Sequence, residues 1–135
     1  MSQKKKQSER MQLNFASHIE DCTNVLDISV PPELDRVVES GVEFWDEIMG
    51  GEGMTPSSSM IFTGGAGAGK TTLMLQLADA ITGTGNVCLY NTDEESPIQV
   101  RKVVRRLGAK NGFYIGKDVL TSDIIAHAKK IMNSP

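Results

Sequence analysis

Cysteine is scarce in these 135 residues, present only at Cys22 and Cys88. Two thiols cannot build a disulfide framework for a chain of this length. Cys88 lies in the apolar run 87–90 and reads as a buried thiol. Long hydrophobic runs are also missing: none approaches the ~18–20 residues that span a bilayer. The opening MSQKKKQSER carries lysines with no apolar stretch behind it, so it does not read as a secretory signal. A cytoplasmic protein that makes no membrane contact is the default expectation. Histidine occurs twice; His18 and Cys22 stand four apart, but no second ligand pair accompanies them to make a zinc site. No repeat is present.

Charge of one sign is weak overall, at −3. It is uneven, however. Residues 1–12 hold Lys4, Lys5, Lys6 and Arg10 against Glu9, a balance of +3 that leaves −6 for the remainder. That balance argues against a broad basic groove. Residues 1–24 are polar, without a convincing period beyond a helical turn at 15–22, and are expected to form a flexible solvated tail.

What the chain does have is glycine in one place. GGAGAGKTT spans residues 64–72. Gly64, Gly65, Gly67 and Gly69, spaced by Ala66 and Ala68, allow a loop whose amide groups turn inward on an anion. Lys70 adds a full charge. Thr71 offers a hydroxyl to Mg²⁺, and Thr72 follows. The spacing Gly64-x-x-x-x-Gly69-Lys70-Thr71 is the P-loop pattern, and its flanks agree with it. Met60, Ile61 and Phe62 form a short apolar run that predicts a buried parallel strand over 59–64. Leu73, Leu77, Ala80 and Ile81, with Met74 and Ala78 beside them, predict a helix over 70–81.

The rest alternates in the same way. Residues 30–41 read as a short helix opened by Pro32, striped by Leu34, Val37 and Val38, and stopped by Gly41. A second short helix is expected within 42–53. Downstream come a strand at 87–90, a helix at 96–108 with Ser96 as cap and Pro97 at its first position, a strand at 112–116, and a helix at 121–133. His127 falls near the apolar stripe of that last helix and reads as a partly buried structural histidine. The order βαβαβα from residue 59 requires a parallel sheet with helical crossovers, an α/β fold.

A second constellation, NTDEES, closes the strand at 87–90, on the carboxyl edge where open α/β sheets bind ligands. Asp93, Glu94 and Glu95 repel one another. Metal binding, activation of water, and an exposed acidic turn favouring the next helix through its dipole all remain open from chemistry alone. Asn91 and Thr92 interrupt the apolar strand before Asp93, so the segment fits poorly as a Walker B strand.

Together EFWDEIMGG, GGAGAGKTTLMLQLA, LYNTDEES and VRRLG resemble the RecA-like ATPases over roughly residues 40–133. The RadA/Sms branch of DNA-repair ATPases is the nearest in pattern, with the clock ATPase KaiC a close relative. Every P-loop shares the Gly-Lys-Thr signature; the Glu94-Glu95-Ser96 run at this distance is the more specific element. The resemblance implies a P-loop NTPase with a RecA-like parallel sheet flanked by helices. It implies ATP and Mg²⁺ as cofactors, held by residues 64–72 with Thr71 on the metal, Glu94 activating water with Glu95 as its partner, and Asp46 in a structural role. It also implies a homo-oligomeric ring or filament, and contact with single-stranded DNA through segments outside this chain. The four-cysteine zinc finger usual in RadA is absent, and Thr55-Pro56-Ser57-Ser58 replaces a Pro-Gly-Ser type of turn. On this resemblance, residues 25–135 are expected to be the N-terminal part of a RecA-like domain, truncated before the Walker B strand and inactive alone.

Three functions follow as expectations. The first is a Mg-ATP-dependent ATPase coupled to DNA recombination, repair or unwinding. The second is a nucleotide-binding module without turnover, regulatory in the manner of KaiC. The third is a small P-loop phosphotransferase with Asp93 as base, which lacks lid arginines since 112–135 has none. Arg101, Arg105 and Arg106 recur at helical spacing and read as a solvated face.

Overall fold

A computed structural model describes residues 23–133. The expected tail, the turn at 15–22, and His18 and Cys22 lie outside the described residues. The chain divides into two compact units, Met1–Pro31 and Pro32–Pro135. In the first, a 3₁₀ turn at Val25–Asp27 is capped by Asn24, whose Oδ1 accepts the Leu26 N–H at 3.0 Å.

The second unit contains five helices and two strands among the described residues: α1 (Pro32–Asp35), α2 (Glu43–Ile48), α3 (Lys70–Gly83), β1 (Leu89–Asn91), α4 (Pro97–Arg106), β2 (Tyr114–Gly116) and α5 (Thr121–Met132). β1 and β2 pair in parallel, with Leu89 opposite Tyr114, Tyr90 opposite Ile115 and Asn91 opposite Gly116. The ladder continues one bond at each end, from Tyr114 N–H to the Cys88 carbonyl and from Thr92 N–H to the Gly116 carbonyl. α4 makes the crossover between the strands, and α3 packs on β1 and α4.

Local chemistry explains the best-formed element. Ser96 Oγ accepts the Gln99 N–H while Gln99 Oε1 accepts the Ser96 N–H, a closed capping box with Pro97 behind it. Gly108, at φ +74°, turns the chain out of the last turn. The core is small: Trp45, Leu75, Leu77, Ala78 and Val100. Cys88 is half-buried, and burial pushes its thiol pKa up, which keeps it protonated.

Four expectations are corrected. The apolar run at 59–64 is not a strand: its residues pair with no neighbour among those described, and Ile61 is 92% exposed. Apolar composition permits a strand, but only a hydrogen-bonded partner makes one. Phe62 of that run instead stacks on Trp45, centroids 5.0 Å apart. The helix expected over 30–41 stops at Asp35, because Val38 is drawn into a two-way backbone bridge with Met54. Gly53 makes that approach possible, since a Cβ there would lie 2.6 Å from the Val38 carbonyl oxygen. Leu75 is the most buried residue of α3, although the expected stripe passed it by; Leu73, Ala80 and Ile81 are only half-buried. His127 is not buried: its side chain is 56% exposed and pairs through Nδ1 with Asp118 Oδ2.

Candidate functional site

Residues 64–72 leave the extended segment and enter α3 through two left-handed residues, Gly67 at φ +75° and Gly69 at φ +86°. A side chain is strained at either position, so the two glycines let the loop curl into the helix. Gly64 and Gly65 do not use positive φ; a Cβ at Gly64 would make ordinary contact with Ala68 and Lys70, and one at Gly65 would stand in open space. One internal bond, Ala68 N–H to the Gly65 carbonyl at 3.2 Å, closes the turn. No backbone bond outside the helices uses the N–H of Ala66, Gly67, Gly69, Lys70, Thr71 or Thr72. The first turn of a helix has no internal acceptor for such groups. They therefore stand with the positive end of the α3 dipole as a set of anion donors.

Lys70 Nζ donates to the carbonyls of Gly64 and Gly65, 2.8 Å each. The ammonium is thus held back across the loop rather than extended into solvent. A cavity of about 240 Å³ is lined by Gly67, Ala68, Gly69, Lys70, Thr71 and Thr72. Its donors are amides, one cation and two hydroxyls. This set fits a polyphosphate, and the Thr71 hydroxyl fits a magnesium ion carried by it. Among the described residues no cluster of three or more acidic, histidine or cysteine side chains makes a separate metal site.

The entry to the loop is braced from α2. Asp46 accepts the Ser40 N–H on both carboxylate oxygens, at 3.0 and 3.3 Å, and Ser40 is fully buried. Asp46 therefore sits where a structural residue was expected, and Trp45 beside it stacks on Phe62 just before Gly64.

The acidic turn stands at the end of β1. Asp93 and Glu94 are exposed, while Glu95 is half-buried. The Tyr90 hydroxyl donates to Glu95 Oε2 at 3.3 Å, and the Glu95 N–H donates to Thr92 Oγ1 at 3.4 Å. Burial pushes the Tyr90 pKa up, and the charges of Glu95 and Glu94 push it further the same way, so the phenol stays a donor. Tyr90 was not singled out from sequence. A tyrosine on a short strand reads as core, and nothing local marks its reach to Glu95.

The two constellations do not share a cavity: none of residues 93–95 lines the cleft at 67–72. Three larger cavities, about 390, 380 and 400 Å³, lie elsewhere: two along α4, the first of them reaching 109–115, and a third beside Cys88 and 111–114. No residue of the loop lines any of the three, whereas the smaller cleft gathers its amides, Lys70 and two hydroxyls, so chemistry rather than size selects it.

A family model described as ATPase: KaiC matches residues 38–133. The Circadian clock protein KaiC2 of Synechocystis sp. is 36% identical over 86 residues, 64% of this chain and 15% of that protein. DNA repair protein RadA of Brucella abortus is 34% identical over 95 residues, 70% of this chain and 20% of that protein. RadA of Mycolicibacterium smegmatis is 35% identical over 80 residues, 59% of this chain and 17% of that protein. The chain thus spans about a fifth or less of these relatives' length. No solved structure matches it significantly.

Proposed function

The chain belongs to the KaiC family of ATPases, and on that premise we propose that it binds Mg-ATP through residues 64–72. The observation that carries this reading is the loop itself. Two left-handed glycines turn unspent amides and Lys70 toward one small cavity at the start of α3. The loop amides cradle the β- and γ-phosphates. Lys70 exchanges its two carbonyl partners for phosphate oxygens, trading neutral acceptors for charged ones. The Thr71 hydroxyl would hold magnesium, and the ion would supply charge neutralisation at the phosphates.

In the whole protein, Glu94 polarises the attacking water, and Glu95, held by Tyr90, supports it from the neighbouring position. Hydrolysis would there be coupled to DNA recombination, repair or unwinding by a homo-oligomer. The RadA relatives are named for DNA repair.

One observation favours a second reading, a nucleotide-binding module without turnover. The acids at 93–95 do not line the phosphate cleft. A relative named for the circadian clock is compatible with such a regulatory role.

Magnesium dependence tests the binding reading. ATP affinity of the chain should rise with Mg²⁺, and Thr71→Ala should remove most of that rise while keeping the Mg²⁺-free affinity within about threefold, the loss being one metal ligand. Equal magnesium dependence in both proteins removes Thr71 from the site.

A further inference from the structure

Helix α4 is out of balance with the chain around it. Arg101, Lys102, Arg105 and Arg106 are all exposed, the helix contains no acid, and none of the four pairs with a carboxylate among the described residues. Positions i, i+1, i+4 and i+5 place them on one side of the helix. Ile98, 71% exposed, lies one turn earlier on the same surface, in a groove lined also by Pro97, Arg101, Lys102 and Arg105. Like charges this close repel one another, and an acidic partner surface relieves that.

Helix α2 carries a pattern that matches. Its inner side is engaged: Trp45 is buried, and Asp46 is bonded to Ser40. Its outer side presents Glu43, Phe44, Glu47 and Ile48, all exposed, again at i, i+1, i+4 and i+5. Glu43 and Glu47 are separated along their helix by the same ~6 Å rise as Arg101 and Arg105. The acids alternate with two exposed apolar side chains, and the cations of α4 adjoin one.

We propose that α2 of a second copy of this chain docks on α4 of the first. Glu43 and Glu47 pair with the α4 cations, and Phe44 and Ile48 cover Ile98. The inference names surfaces for the homo-oligomer of the reading above and rests on that part of it alone, not on the nucleotide chemistry. A polyanion fits less well. Phosphates leave Ile98, Phe44 and Ile48 uncovered, and the net charge of −3 repels them. Exposed ion pairs contribute little each, so the contact is weak, salt-sensitive and centred on the apolar side chains. Because each copy carries both helices, the contact can close as a two-fold pair or run head to tail.

Sedimentation of the 135-residue chain at ~20 and ~500 mM salt tests this, since that range carries the Debye length from well above the ion-pair distance to near it. The expected result is concentration-dependent association that weakens about tenfold or more at the higher salt. Arg101→Glu with Arg105→Glu should abolish it, and so should Glu43→Lys with Glu47→Lys. Mixing the two double variants should restore it, because each junction is then complementary again, and restoration also shows that both proteins are folded. Association that ignores both reversals overturns the inference and leaves the homo-oligomer reading standing on another surface. No association under any condition overturns the inference. Retention of a labelled oligonucleotide by wild type that does not self-associate assigns α4 to a polyanion and also overturns it.

Discussion

Asp79 shows how much one side chain can fix outside the nucleotide site. Its carboxylate, on α3, accepts the N–H groups of Lys110, Asn111 and Gly112 at 3.1, 2.8 and 2.7 Å, closing the turn before β2. Asn111 Nδ2 returns a bond to the Asp79 carbonyl at 3.0 Å. Burial alone would raise the Asp79 pKa; the three amides, Gly112 foremost, outweigh it and hold the carboxyl below the ordinary value of 3.8. A folded pKa below the unfolded one means that its stabilisation is fully present above 3.8 and is lost as pH falls through the lower folded value. Asp79→Ala should therefore cost about 1 kcal/mol at neutral pH, discounted because the group is partly exposed, and almost nothing in strong acid. Urea melts of both proteins at neutral and strongly acidic pH check this. An equal cost at both would mean that the carboxylate charge does not matter. Asp79 was not legible beforehand, because its partners lie 31 to 33 residues away and no period or motif points across that gap.

At the scale of elements, what could be read was local and what could not was paired. The P-loop, the start of α3 and the capped α4 are specified within a few residues by Gly69, Lys70, Ser96, Pro97 and Gln99. The run at 59–64 misled because a strand is a relation between two segments, and Met60, Ile61 and Phe62 state only one of them. The face of α3 was misjudged for a related reason, since Leu75 is buried by neighbours that its own helix does not name. Of the candidate site, the donors at 64–72 were legible as a loop, whereas the hold of Tyr90 on Glu95 was not. The junction of β1 and β2 is equally non-local. Asn91 Nδ2 donates to the Asp118 carbonyl at 2.7 Å, and Asn91 Oδ1 accepts the Asp118 N–H at 3.1 Å. That side chain lies over Gly116, where an added Cβ would meet Asn91 Oδ1 at 2.5 Å. Gly116→Ala should accordingly destabilise by about 1–3 kcal/mol, and Asn91→Ala by about 1–2 kcal/mol. In the double variant the clash is gone, so the combined cost should fall short of the sum by about 1 kcal/mol. Additive melting data would show that the two residues are not in contact.

For the whole molecule, the main question is how far nucleotide binding extends into chemistry. Among the described residues no helix is long and apolar enough to cross a membrane. Within the second unit the loop at 64–72 and the acids at 93–95 stand at the start of α3 and the end of β1, two elements that pack together, yet only the loop lines the cleft at 67–72. The 135-residue chain is therefore expected to bind ATP without turnover above a Lys70→Ala control. Any turnover found should fall about 10²-fold in Glu94→Gln, the scale of general-base catalysis. A phosphate-release assay decides: hydrolysis that Lys70→Ala abolishes and Glu94→Gln leaves alone would remove Glu94 from the mechanism. The central claim is simpler, that this loop is a nucleotide site whose cation is Lys70. Titration calorimetry of wild type and Lys70→Ala with Mg-ATP tests it most directly. Losing one charge-assisted contact of about 1.5–3 kcal/mol should weaken binding roughly ten- to a hundredfold while the thermal melt stays close to wild type. Equal affinity in the two proteins, or no binding to wild type at all, would contradict it.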